Sequence, residues 1–385
     1  MTAAAIAILS AALAAVDGTS AEVTVSGRAE TSALAFSADG AAPRGLAALD
    51  VLPRVGLLLD HKTLRLGLAY EPQLRVSQAL AYPGSDAAVV HGGSLRAEWD
   101  VDPLWRATGS ARATVRLLDL AAGAGSELAR LLDLRAPLAP LRYADSGASA
   151  AIEGRPTRRL TVAAAATIDA SGAAELADRP AMPWMRELSL AASATSAETR
   201  EDTIRLELAA RSAAFEVGGA SFATLSAAWT RALARGAHLR LAAAASQALS
   251  GSAPARTMPG GDVELEATPG LAGRPLRLAA AARVGPAFDR YGGRIFERLA
   301  LEARAAWAVA PRLSLSAAAV GGGVLEAQGY TASRADLRGA WRWSPRVTFY
   351  AAVWNEWHHD PRLAAGAAAT YLGTGVGIEL APGAR

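Results

Sequence analysis

Apolar and charged residues alternate along much of this chain. Clear examples are Leu64-Arg65-Leu66, Ile204-Arg205-Leu206-Glu207-Leu208 and Val263-Glu264-Leu265-Glu266. Successive side chains of a β-strand lie on opposite faces, so this period of two predicts strands with one apolar and one charged face. Because the alternation recurs from residue 22 to residue 380, it predicts a closed sheet with lipid outside and water inside.

The predicted fold is all-β: an antiparallel sheet of about eighteen strands that closes into a transmembrane β-barrel. Alanine-rich segments such as 163–166 and 242–245 favour helix by intrinsic propensity, but alternation on both sides of them favours strand. The predicted strands are 22–37, 51–60, 63–77, 93–101, 105–118, 146–154, 158–169, 185–197, 203–216, 220–231, 237–249, 261–268, 275–284, 295–309, 312–324, 328–343, 346–358 and 365–380.

The predicted connections alternate in length. Tight turns rich in Pro, Gly or Asp lie at 60–62, 102–103, 155–157, 199–202, 234–236, 269–275, 310–311 and 344–345. Mostly longer connections lie between them, at 38–50, 78–92, 119–145, 170–184, 250–260 and 285–294, whereas 217–219 is short. This alternation is typical of outer-membrane barrels and places both termini on the periplasmic side.

The N-terminal segment differs from the rest of the chain. Residues 3–16 are apolar or small apart from Ser10, which fits the apolar region of a signal peptide although no Lys or Arg precedes it. We therefore expect a signal peptide at 1–21 and a single barrel domain at 22–385. A short buried helix is the alternative for the first segment.

Composition narrows the possible partners. The chain has no cysteine, and its net charge is +3 with charges that alternate within strands instead of forming a basic face. We therefore expect no nucleic-acid partner. No later segment has the roughly 18 apolar residues of a spanning helix, so any membrane crossing must use strands.

The charged positions are predicted to line a water-filled pore. A charge on the lipid face costs about 2–4 kcal/mol at mid-depth, and the opposite register would place many charges there. The predicted pore-lining residues are Arg65, Arg96, Glu98, Arg112, Arg116, Arg205, Glu207, Arg211, Arg240, Glu264, Arg277, Arg304 and Arg338. The nine tryptophans lie mainly near strand ends, which favours an interfacial girdle over ordinary packing at sheet ends.

With these strands, the chain resembles the outer-membrane β-barrels of Gram-negative bacteria. Residues 55–78 and 105–120 are similar to uncharacterised barrels of GC-rich, myxobacteria-like lineages. The last strand, 369–380, resembles the terminal assembly signal of such barrels, but it ends in Leu380 where Phe is usual. The resemblance implies an outer-membrane location, with membrane lipid and the insertion machinery as partners.

The sequence offers no set of residues for catalysis, and we expect no enzyme activity, cofactor or metal. The His358-His359-Asp360 cluster is poorly placed to chelate, because adjacent strand residues point to opposite faces. The glycine runs 321–323 and 292–293 lack the strand-to-helix setting of a phosphate loop, and we interpret them as loop tips.

The longest predicted loop, 119–145, is the candidate constriction. Residues 126–134 can form a short helix capped by Ser126. The third external loop of general diffusion porins folds into the barrel, and this resemblance suggests Glu127, Arg130 and Asp133 as loop charges facing wall arginines. A loop that lies over the rim is the alternative.

The expected function is a passive, water-filled channel for small polar solutes, with a weak anion preference because arginines exceed acids among the predicted pore-lining residues. Two alternatives stay open. One is a structural or surface-interaction barrel without open conductance, and the other is a soluble β-rich protein of the envelope.

Overall fold

The alternating segments pair into one continuous antiparallel sheet. The computed structural model describes residues 19–38, 44–79, 85–118, 141–180, 182–234, 236–251, 256–325, 329–360 and 367–381. Within these residues, eighteen strands follow one another along the chain. They are β1 Thr19–Ala38, β2 Arg44–His61, β3 Leu64–Tyr70 with Gln73–Ala79, β4 Ser85–Val90 with Gly92–Asp100, β5 Trp105–Leu118, β6 Leu141–Gly154, β7 Leu160–Ala173, β8 Met185–Ala197, β9 Asp202–Phe215, β10 Gly218–Ala234, β11 Ala237–Ser250, β12 Thr257–Ala267, β13 Arg274–Asp289, β14 Arg294–Ala310, β15 Leu313–Val324, β16 Thr331–Arg342, β17 Val347–Asp360 and β18 Ala367–Leu380.

The sheet closes on itself through its first and last strands. Each strand pairs with the next, and β1 also pairs with β18 in a register that runs from Gly27 opposite Leu380 to Ala38 opposite Ala369. Over residues 27–36, β1 therefore has a hydrogen-bonded neighbour on each side, whereas residues 19–26 pair only with β2. The prediction of an all-β, closed antiparallel barrel of about eighteen strands is confirmed.

The two ends of the barrel differ in their connections. At one end of the barrel, which we call the turn end, the strands are joined by short turns that side chains cap. Leu104 N and Trp105 N donate to Asp102 Oδ1 at 2.7 and 3.0 Å, and Asp202 N donates to Thr199 Oγ1 at 2.9 Å. The opposite end is the loop end. β1 starts and β18 finishes at the turn end, since Thr19 pairs with His61 and Leu380 with Val347.

One face of the sheet is apolar and the other is charged. On β9, Leu206 and Leu208 are 55% and 59% exposed, while Arg205, Glu207 and Arg211 lie on the opposite face. The guanidinium of Arg211 lies 5.5 Å from the ring centre of Phe288 on β13. Strands β9 and β13 are four positions apart in the ring, so this contact crosses the interior. The charged face is therefore the inner face, and the apolar face points outward.

Several predictions about loops are wrong. Of the predicted connection 38–50, residues 44–50 belong to β2, and of 285–294, residues 285–289 belong to β13. The predicted connection 78–92 is largely strand, because β3 continues to Ala79 and β4 starts at Ser85. The glycines 321–323 are not a loop tip: they lie within β15 and pair with β14 and β16. Local composition indicated turns, but pairing with neighbouring strands extends these strands toward the loop end.

The alanine-rich segments 163–166 and 242–245 lie within β7 and β11, as predicted, because the pairing of neighbouring strands overrides their helix propensity. No helix among the described residues has the length and apolarity needed to cross a membrane. The predicted signal peptide falls largely outside the described residues, which start at Thr19, and stays a prediction.

Candidate functional site: the charged interior of the barrel

An alternating row of charges crosses four neighbouring strands on the inner face. Arg240 of β11 contacts Asp262 and Glu264 of β12 at 2.7 and 3.7 Å. Arg283 of β13 contacts Glu264 at 3.9 Å and Glu302 of β14 at 3.6 Å. Glu302 also pairs with Arg304 on its own strand. Acids separate the arginines, so these long side chains are held along the wall.

Most of the predicted pore-lining residues form ion pairs on this face. The arginines at 65, 96 and 205 pair with Asp60, Glu98 and Glu207 at 3.3, 2.7 and 2.5 Å. Arg112 reaches two strands, with Asp145 at 3.5 Å and Asp169 at 3.0 Å. Arg211 contacts Glu187 at 2.6 Å. The arginines of these pairs are all at least a third exposed and keep contact with water, whereas the partner Asp145 is buried.

The remaining predicted residues have different surroundings. Arg338 contacts Glu379 at 3.4 Å, and its guanidinium stacks over Tyr350 at 4.2 Å from the ring centre. Arg277 is exposed on β13 and has no ion pair with a described residue. Arg116 belongs to β5, but its side chain lies outside the described part. The candidate constriction residues Glu127, Arg130 and Asp133 also lie outside it.

A buried polar network occupies the inner face of β16 and β17, near the loop end. Arg334 Nη1 donates to Glu356 Oε2 at 3.2 Å, and its Nη2 donates to Asp336 Oδ1 at 2.7 Å. His358 bonds Glu356 through Nε2 and Tyr330 through Nδ1. The side chains of Arg334, Glu356 and His358 are only 2–3% exposed. Buried charges are costly unless paired, and each of these charges has a partner.

A second polar group lies nearby, where β1 closes the barrel against β17 and β18. Tyr350 Oη donates to Glu30 Oε2 at 2.8 Å, and Arg28 pairs with Glu30. Arg28 and Arg338 both lie over the Tyr350 ring, at 5.2 and 4.2 Å from its centre. The closing seam of the barrel therefore carries a dense set of buried side chains on its inner face.

Glycines on β18 make room for the aromatic rings of this wall. A Cβ atom on Gly373 would overlap the ring of Trp354, and one on Gly377 would overlap Tyr350. Trp354 and Tyr350 are 3% and 6% exposed. Both glycines pair directly with these aromatic residues across the β17–β18 ladder, so the rings can lie flat on the neighbouring strand.

The opposite wall is formed by small residues. On the inner face, Ala165 of β7 pairs with Ala151 of β6 on one side and with Ala191 of β8 on the other. At the next level toward the turn end, Ala163 pairs with Ser193. A cavity of about 370 Å³ lies against this wall and is also lined by Arg106, Glu153 and Arg205. This side of the interior is open because few side chains project into it.

The tip of the β13–β14 hairpin, residues 287–296, crosses the interior at the loop end. Phe288 packs on Phe222 and Phe215, with ring centres 5.1 and 6.0 Å apart. Arg290, only 5% exposed, donates to Ser171 Oγ of β7 at 3.0 Å and to Pro183 O at 3.3 Å. Since β7 and β13 are six positions apart in the ring, these contacts span the barrel.

The hairpin tip rests on an apolar cluster at the loop end of the inner face. Buried members of the cluster are Ala213, Phe215, Ala220, Phe222, Ala248, Met258, Phe288 and Ile295. Apolar burial holds the tip in place, together with the two Arg290 hydrogen bonds. The described residues therefore contain an element that narrows the interior, in a different loop from the one that the sequence suggested.

The histidine cluster is divided between the two faces of β17. His358 lies in the inner network, whereas His359 stacks on the outer Trp357, with ring centres 5.8 Å apart. Among the described residues, no group of three or more His, Asp or Glu side chains is arranged to hold a metal ion.

Sequence reasoning missed several inner residues. Asp145 lies outside the predicted strand 146–154, although β6 extends back to Leu141. Arg283 and Arg334 lie on predicted strands and have the parity of Arg277 and Arg338, so strict alternation would have found them. No alternation of residue types identifies the hairpin tip in the sequence, because contacts across the interior do not follow the two-residue period of a strand.

Together, the closed eighteen-stranded ring and the charged interior define a porin-like β-barrel. No model of a known protein family matches the chain, and no curated protein matches it. Among solved structures, a BenF-like porin from Pseudomonas fluorescens Pf-5 aligns with a TM-score of 0.50 at 12% identity, over 94% of this chain and 99% of that chain.

Two further solved structures that align with this chain come from Pseudomonas aeruginosa. OccK7 (OpdD) aligns with a TM-score of 0.49 at 11% identity, and OpdQ with 0.48 at 10%, each over 94% of this chain and 99% of the other. At such identities, only the fold can be compared. The chain shares the barrel fold of the BenF-like porin.

Proposed function

We propose that the protein is an integral outer-membrane barrel of a Gram-negative bacterium that acts as a passive, water-filled channel for small polar solutes. The observation that supports this proposal is the two-faced closed sheet. Its outer face exposes leucines such as Leu206 and Leu208, and its inner face carries exposed ion pairs such as Arg205 with Glu207. An exterior of this kind is unstable in water but suited to hydrocarbon.

The size of the ring supports an open interior. Barrels of about eight strands are filled by their own side chains, whereas barrels of 16–18 strands leave an aqueous channel. Besides the cavity at the small wall, a second cavity of about 720 Å³ lies against β1–β4 and is lined by Arg28, Arg54, Arg96 and Glu71. Water in these spaces would solvate both the wall charges and a passing solute.

The β13–β14 tip would set the upper size of the solutes. It crosses the interior near the loop end and is anchored on both sides, by Phe288 on the β9–β10 wall and by Arg290 on β7. An anchored tip narrows the path permanently, because its buried contacts would have to break before it moved. We therefore propose a channel that is selective by size and only weakly selective by charge.

The direct test is conductance in planar lipid bilayers. The purified full-length protein is expected to give stepwise channels, with a reversal potential in a KCl gradient that indicates a weak preference for chloride. Complete absence of conductance from folded, inserted protein would contradict the proposal and favour a structural barrel. A clear cation preference would contradict the charge assignment alone.

A matched pair of variants, at Arg277 and Glu266, tests whether the wall charges set the weak anion preference. Arg277 and Glu266 lie near the turn end of the inner face, and neither has an ion pair with a described residue. Arg277→Gln is expected to shift the reversal potential toward cation preference, and Glu266→Gln toward anion preference, because each removes one unpaired charge from the wall. Shifts in the same direction, or no shift in either variant, would contradict a solute path along this face.

A further inference from the structure

Among the described residues, the turn end of the barrel carries a larger excess of positive charge than the loop end. Described turn residues at this end include seven cations and three acids: Lys62, Arg155, Arg158, Arg159, Arg200, Arg312 and Arg346, against Asp102, Glu198 and Glu201. The described side chains of the loop-end connections include three cations, Arg179, Arg256 and Arg290, against two acids, Glu175 and Glu216.

Several cations at the turn end lack the acidic partners found at the loop end, although Arg155 pairs with Glu153 at 3.5 Å. At the loop end, Arg179 pairs with Glu216 at 3.7 Å and Arg256 with Glu297 at 3.1 Å. At the turn end, Arg158, Arg312 and Arg346 are exposed and have no ion pair with a described residue. These guanidinium groups are free to bind an external anion.

Tryptophans on the outer face lie next to these arginines. Six of the nine tryptophans of the chain are at the turn end: Trp99, Trp105, Trp229, Trp307, Trp341 and Trp343. Trp341 packs against Trp343 and Phe349, with ring centres 5.2 and 6.0 Å apart. Arg346 follows Trp343 by three residues, in the same turn. Outward tryptophans mark the level of lipid headgroups in membrane proteins.

We propose that the basic turns bind the phosphate groups of anionic phospholipids in the leaflet at the turn end. This inference rests on the proposed membrane function. The outward tryptophans lie in the turns or up to six residues from them along the strands, so the arginines of the turns reach the headgroup layer. Arginine suits this partner because its planar fork can donate two hydrogen bonds to one phosphate.

The expected preference is moderate in size. A basic residue near an anionic lipid surface contributes about fivefold to binding, and salt screens the effect within a Debye length. The partner is a lipid because the basic turns and the outward tryptophans lie at the same end of the barrel. A soluble anion would need only the arginines.

Quenching of tryptophan fluorescence by brominated lipids tests the proposal, since most tryptophans lie beside the proposed site. The full-length protein is reconstituted in phosphatidylcholine vesicles that contain either dibrominated phosphatidylglycerol or dibrominated phosphatidylcholine. We expect the wild-type protein to favour phosphatidylglycerol by at least about fivefold at low salt. The variant R158Q/R312Q/R346Q is expected to show nearly equal quenching by the two lipids.

The matched control is R142Q/R179Q/R256Q, which removes the same charge from exposed, paired arginines at the loop end. It is expected to keep the wild-type preference. Equal losses in both variants would overturn the proposal, because net charge alone would then explain the effect. A wild-type protein without the preference would also overturn it.

The two proposals fail in distinguishable ways. Quenching by brominated phosphatidylcholine without a phosphatidylglycerol preference would leave the membrane barrel intact and refute only the lipid site. Absence of quenching by either lipid would show that the tryptophans are not in a bilayer, which would refute both.

Discussion

The inner wall of β6–β8 and the inner wall of β16–β18 differ sharply, although both follow the same alternation of apolar and polar positions. On the first wall, Ala151, Ala165 and Ala191 leave the interior open. On the second, Arg334, Glu356 and Trp354 are almost fully buried. The alternation thus determines which face a residue occupies, while side-chain size and partners determine whether that face is open or filled.

The two walls also place different demands on charged residues. An arginine beside the open wall, such as Arg112, keeps half of its side chain exposed while it contacts two acids. On the crowded wall, water cannot replace a lost partner, because the side chains around Arg334 exclude it. Buried charges therefore depend on their partners far more than exposed ones do.

The largest expected effect of a single substitution follows from this difference. Arg334→Ala would leave Glu356 and Asp336 without their shared partner, and we expect it to lower the free energy of unfolding by about 3–5 kcal/mol. Arg96→Ala breaks a pair whose arginine is 73% exposed, and a loss of about 0.2–1 kcal/mol is expected. Urea unfolding in lipid vesicles, followed by tryptophan fluorescence, measures both. Similar losses would refute the distinction between the walls.

A smaller effect is expected when the open wall is filled. Ala165→Trp adds a large ring to the inner face of β7, and single-channel conductance should fall because the ring occupies part of the aqueous path. Ala166→Trp is the matched control, since the adjacent residue points outward and its ring would enter lipid. Equal conductance in the two variants would show that this wall does not border the path.

The sequence predicted the strands better than the interior. Alternation identified all eighteen strands, because most of them have one apolar face and one face with charged or small polar residues. It missed strand extensions toward the loop end, as at 78–92, where alternation weakens and turn-like residues such as Pro83 and Gly84 appear. The prediction for glycines 321–323 was wrong for the same reason. Their composition indicates a turn, but pairing with β14 and β16 keeps them in β15.

The constriction could not be derived from the sequence for a different physical reason. The placement of Phe288 and Arg290 depends on contacts with strands that lie four to six positions away in the ring. Such contacts form only because the sheet closes in three dimensions, and the periodicity of residue types along the sequence does not predict them. The segment favoured from the sequence, with Glu127 and Asp133, lies outside the described residues and stays a prediction.

Cysteine accessibility along β9 tests the central claim most directly, because the chain has no cysteine of its own. Single cysteines at Leu206, Glu207 and Leu208 would be exposed to a charged, membrane-impermeant thiol reagent in reconstituted vesicles. We predict rapid labelling at residue 207 and protection at 206 and 208, since only the inner face contacts water. Equal labelling at all three positions, or protection of residue 207 alone, would contradict a barrel with a wet interior and a lipid-facing exterior.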